Sequence, residues 1–134
     1  MDQKLRMALG WTTMAVVLTC AVAVMLPGVS STRYVVGAKM GWTSNVNYTV
    51  WARTKHFYRG DWLYFVYDRN RMNVLEVNKK DYKSCNSKHP LHNWTKGYGR
   101  DVVPLNVTKT YYFISAKAKG FFCHRGTKVA IRVN

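Results

Sequence analysis

Few side chains in this 134-residue chain could do chemistry. There are three cysteines, Cys20, Cys85 and Cys123, and four histidines, His56, His89, His92 and His124. Neither Cys85 nor Cys123 sits in a C-x-x-C or C-x-H pair, the spacing that metal sites use. His89-Pro90-Leu91-His92 could catch a surface metal weakly, but two solvent-exposed histidines are the commoner reading. Beyond residue 31 the acids are Asp61, Asp68, Glu76, Asp81 and Asp101. They form no obvious carboxylate pair for general acid–base work. No nucleophile elbow or phosphate loop occurs. Catalysis is not expected.

What the cysteines do depends on the compartment. Lys4 and Arg6 precede an uncharged run from Met7 to Leu26, Pro27-Gly28 breaks it, and Val29-Ser30-Ser31 supplies small residues. This layout predicts a secretory signal peptide over residues 1–31, with cleavage near Ser31. An uncleaved anchor is the alternative, because twenty uncharged residues can just span a bilayer. Cleavage leaves one domain, residues 32–134, and removes Cys20. Cys85 and Cys123 are then an even pair in an oxidising compartment and are read as a disulfide. Closing a loop of about forty residues stabilises by roughly 4 kcal/mol in the chain-entropy model. Three sequons fit a secreted glycoprotein, at Asn47, Asn93 and Asn106.

Charge narrows the partners. Without Lys4, Arg6 and Asp2, the 21 basic and 6 acidic residues fall to 19 and 5, a net of +14. Such a surface favours acidic polymers, and the basic residues read as scattered rather than clustered. An acidic polysaccharide, a cell-surface glycoprotein or a receptor are the candidate partners. Nucleic acid is not expected for a secreted domain. The chain carries no second hydrophobic span and no hydrophobic tail of the GPI-anchor type, so release rather than tethering is expected; the domain is read as a monomer.

The elements that must position these residues are short. Runs rich in Val, Tyr, Phe and Trp are separated by Gly, Asn, Asp and Lys, the pattern of an all-β sandwich or barrel. Strands are expected at residues 33–37, 61–67, 73–78, 102–107 and 110–116. Residues 61–67 are apolar on both phases, which predicts a central strand covered on both sides. Residues 102–107 and 110–116 read as strands paired around a short turn. In the last strand Thr127, Val129, Ile131 and Val133 face one way, Lys128, Ala130, Arg132 and Asn134 the other. Residues 79–85 suit a short helix or turn. Trp42, Trp51 and Trp94 could stack on sugars, although Trp in a sandwich is more often core.

Motif order then points to a family. Val36-Gly37, Gly41-Trp42, Tyr48, Trp51-Ala52, Gly60-Asp61-x-Leu63-x-Phe65-x-Tyr67, Asn73-Val74-x-Glu76-Val77, Tyr82-x-x-Cys85-Asn86, Tyr112-Phe113-Ile114 and Cys123-x-x-Gly126-x-Lys128 run as in phytocyanins. The chain resembles their early nodulin-like and lamin-like branch over essentially all of residues 32–134. The resemblance implies a cupredoxin-like Greek-key β-sandwich of seven to eight strands, with Cys85 and Cys123 as its one disulfide.

The same resemblance implies which residues would hold copper. Blue-copper sites take two imidazoles, one thiolate and a weak axial ligand. The corresponding positions here are Met72, Ser115, Phe122 and Thr127, so both imidazoles, the thiolate and the axial ligand are replaced. The segment 116–122 is also about two residues longer than the copper-binding loop. His124 neighbours a lost ligand position, but a shift of one residue usually turns a side chain to the other face. The expected function is therefore a copper-free extracellular binding or structural protein of the plant cell surface or wall. The alternative is electron transfer through a non-standard copper site.

Overall fold

The computed structural model describes residues 30–134. The expected signal peptide lies outside the described residues, apart from Ser30 and Ser31. Seven strands follow in chain order: β1 (Arg33–Val35), β2 (Trp62–Val66), β3 (Leu75–Val77), β4 (His92–Asn93), β5 (Arg100–Pro104), β6 (Thr110–Ile114) and β7 (Lys128–Arg132). In the first sheet β2 is central, parallel to β1 and antiparallel to β5. The second sheet runs β4-β3-β6-β7, antiparallel throughout.

Period-two alternation explains what each strand buries. Leu63, Phe65 and Val103 face inward from the first sheet; Tyr111, Phe113, Val129 and Ile131 join the same buried cluster from the second. Trp42 closes this core, its ring 4.9 Å from Tyr48 and 5.1 Å from Phe65. Burying each such side chain stabilises by about 1.5–3 kcal/mol. Gly41 lets the chain pass close enough for this. Its φ is 69°, and a Cβ there would stand 2.5 Å from the Val66 carbonyl oxygen, which accepts the Trp42 amide at 2.8 Å. Other residues strain in that region.

Two strand expectations are corrected. Residues 61–67 do form a central strand, but only one face is covered: Trp62 and Val102 on the outer face are each 39% exposed. The second apolar phase is a surface feature. Residues 102–107 and 110–116 do not pair with each other, because β5 bonds to β2 and β6 bonds to β3 and β7. The intervening segment crosses between sheets. Leu105 is buried in the core, and the Val107 amide donates to the Tyr111 hydroxyl at 3.1 Å, which fixes the crossing.

Among the described residues three short α-helices decorate the sandwich. Asn47 caps α1 (Tyr48–Arg53), accepting from the Val50 amide at 3.1 Å. Asn78 caps α2 (Lys79–Ser84) in the same way, accepting from the Asp81 amide at 2.8 Å. The third, α3 (Phe121–His124), leads into β7. Sequence periodicity is too short over six or four residues to reveal α1 and α3. A second apolar cluster of Leu75, Val77 and Ile114 is closed by Cys85 and Cys123, which form a disulfide with Cα atoms 5.8 Å apart.

Candidate functional site

The four positions that the resemblance pairs with copper ligands do converge. Met72 precedes β3, Ser115 follows β6, Phe122 lies in α3 and Thr127 precedes β7. Ser115 and Thr127 join through the Ser115 amide and the Thr127 carbonyl at 3.2 Å, while the Thr127 amide donates to the Phe122 carbonyl at 2.9 Å. Asn73, next to Met72, accepts from the Ala116 amide at 2.7 Å and from the Ser115 hydroxyl at 3.5 Å. Its own carbonyl accepts the Trp42 indole N–H at 2.9 Å.

The chemistry of this donor set does not fit copper. Met72 is buried within the main apolar core, and Phe122 packs against that core. The Arg71 guanidinium lies over the Phe122 ring, 5.5 Å from its centroid. Thr127 is buried, and its hydroxyl donates to the Thr43 carbonyl at 3.1 Å. A thioether, two hydroxyls and a phenyl ring supply neither the imidazoles nor the thiolate that such a site needs. The positions instead bond protein to protein.

Other candidate ligands are scattered. His124 is exposed, and so are His56, His89 and His92. The His92 ring lies against Trp94, 4.0 Å between centroids and tilted by 48°. Among the described residues no group of three or more His, Cys, Asp or Glu side chains is placed to hold a metal ion. Three buried acids have structural partners. Asp61 accepts the Thr32 and Tyr58 amides, each at 2.9 Å. Asp101 accepts the Tyr67 hydroxyl and the Lys96 amide. Glu76 takes the Trp94 indole N–H at 3.2 Å and pairs with Lys109 at 2.9 Å.

Surface candidates divide. Trp42 is fully buried, whereas Trp51 and Trp94 are half-buried against the core. The most solvent-accessible sheet tryptophan is Trp62, which the sequence reading placed inside. The sequon residues Asn47, Asn93 and Asn106 are all exposed. Ala118–Gly120 forms a 3-10 turn, with Ala118 and Lys119 both at φ 54°, next to the exposed ring of Phe121.

A two-sheet sandwich with one disulfide and a closed ligand end defines a cupredoxin-like protein. The family described as plastocyanin-like domain matches residues 42–127. Early nodulin-like protein 17 from Arabidopsis thaliana is 52% identical over 119 residues, covering 89% of this chain and 67% of that protein. Early nodulin-like protein 19 from the same plant is 49% identical over 119 residues, 89% of this chain and 82% of that protein. Among solved structures, cucumber basic protein, a blue copper protein, superposes with a TM-score of 0.65 at 33% identity, over 76% of this chain and 99% of that chain. The chain belongs to the plastocyanin-like (phytocyanin) family and groups with its early nodulin-like members. Its fold is the cupredoxin-like one that the sequence predicts.

Proposed function

We propose that this domain is a copper-free, non-enzymatic binding module, secreted to the plant cell wall or the outer face of the plasma membrane. The observation that carries the reading is the ligand end itself: Met72, Ser115, Phe122 and Thr127 are spent on packing and internal hydrogen bonds. Function then moves to the surface. With the leader removed, the net charge of +14 suits an acidic cell-wall polysaccharide, with de-esterified pectin as the ligand. The domain acts as a monomer with N-glycans at Asn47, Asn93 and Asn106. Among the described residues no helix is long and apolar enough to cross a membrane.

The test is retention of the purified domain on immobilised polygalacturonate. Binding at low salt and release as salt rises through the physiological range are expected, because exposed charges more than about 10 Å apart are screened at 0.1 M. No binding at low salt, or retention in high salt, would overturn the reading.

A further inference from the structure

Cations that look scattered along the sequence gather in the fold. Helix α1 packs against β7, and two depressions of about 430 and 410 Å³ lie along their junction, sharing Thr49 and Tyr82. The outward-facing residues of β7 run the length of this groove: Lys128 lines one depression, Ala130 and Arg132 the other. At about 3.3 Å per residue, Lys128 and Arg132 stand about 13 Å apart along the strand. Arg53 and Lys55 add charge at the Arg132 end, and Arg125 at the Lys128 end. Five cations thus line one groove, and no acidic side chain does. The one ion pair among the described residues joins Lys109 to Glu76 and uses none of the five.

We propose that this groove between α1 and β7 is the binding site for an extended, uronate-rich oligosaccharide. The inference rests on the polysaccharide reading above and locates it. Cations spread along a line match a chain with regularly repeated carboxylates better than a single small anion. Ala52 and Ala130 keep the floor low, and between the two ends the Lys128 ammonium lies over the Tyr82 ring, 4.6 Å from its centroid, which holds that charge at the groove. Asn47 borders the Lys128 end, so a glycan there would share the groove with the ligand. Binding is therefore measured on protein freed of N-glycans.

The experiment compares two triple variants of equal net charge, titrated with an oligogalacturonate at low salt. One removes the exposed groove cations (Arg53→Gln, Arg125→Gln, Arg132→Gln); the other removes exposed cations outside it (Arg69→Gln, Lys88→Gln, Lys96→Gln). Each exposed charge pair contributes up to a few-fold in affinity, so the groove variant should lose roughly tenfold or more. The control should lose no more than about threefold. Thermal unfolding and near-UV dichroism check that both variants fold. Equal losses would overturn the groove while leaving the polysaccharide reading intact. No binding by the unsubstituted domain would overturn both. Polyglutamate bound as tightly, with the same groove dependence, would overturn the saccharide and point to an acidic peptide.

Discussion

The Asn73 carboxamide oxygen accepts the Ala116 amide at 2.7 Å, which ties the segment before β3 to the loop after β6. Two copper-ligand positions of the family's pattern, Met72 and Ser115, flank this bond in sequence. Asn73→Ala leaves the Ala116 N–H and the buried Ser115 hydroxyl without their acceptor. It should destabilise by about 1–3 kcal/mol in urea unfolding. Asn73→Asp keeps an acceptor and should cost less. Equal loss in both would show that the amide nitrogen matters instead.

Added Cu(II) should produce no intense visible absorption in the pure, deglycosylated domain. The thiolate that gives blue sites their charge-transfer band has no counterpart, since the position carries Ser115, and Cys85 and Cys123 are bridged. A strong band at stoichiometric copper would refute the copper-free reading.

Alkaline pH should weaken the fold through Tyr48. Burial pushes its hydroxyl up to about 12 from an ordinary value of 10.0. The hydroxyl donates to the Gly41 carbonyl at 2.6 Å and accepts the Thr43 amide at 2.8 Å. The unfolded chain ionises first, so this contribution is complete below pH 10 and is lost as pH rises towards 12. Tyr48→Phe should flatten that part of the stability profile while costing about 1–2 kcal/mol at neutral pH. Denaturant midpoints measured at pH 8 to 12 check both effects.

Glu76 and Lys109 form an asymmetric pair. The carboxylate is buried, whereas the lysine side chain is 40% exposed. Lys109→Met leaves a buried charge with only the Trp94 N–H to answer it, and should destabilise by about 1–3 kcal/mol. Adding Glu76→Gln should restore part of that loss. A double-mutant cycle with no coupling would show that solvent, not Glu76, holds Lys109.

Reducing the Cys85–Cys123 bridge frees a 38-residue separation. The chain-entropy model gives a loss of about 4 kcal/mol, read as a lower denaturation midpoint in dithiothreitol. A midpoint unchanged by reduction would show that the unfolded chain is already constrained there.

How much of this was legible in the sequence differs from element to element. β7 announces itself because Val129 and Ile131 alternate with Lys128 and Ala130, and burial follows that alternation. The cysteine pairing followed from the compartment, and the ligand positions from motif order. β2 misled because alternation reports polarity, and Trp62 and Tyr64 are apolar on a face that solvent reaches. The pairing of residues 102–107 with 110–116 failed because a short connection suits a hairpin or a crossing between sheets equally well; buried Leu105 and the Tyr111 hydroxyl decide it. The groove cations were individually visible, but Arg53 and Arg132 are far apart in sequence, and only the packing of α1 on β7 makes them neighbours.

The Thr127–Thr43 and Asn73–Ala116 bonds close one end of the sandwich with atoms the chain itself supplies. On the copper-free reading proposed above, maturation of such a domain depends on oxidation of two thiols and not on delivery of a metal. Tissue starved of copper should therefore accumulate it as readily as replete tissue.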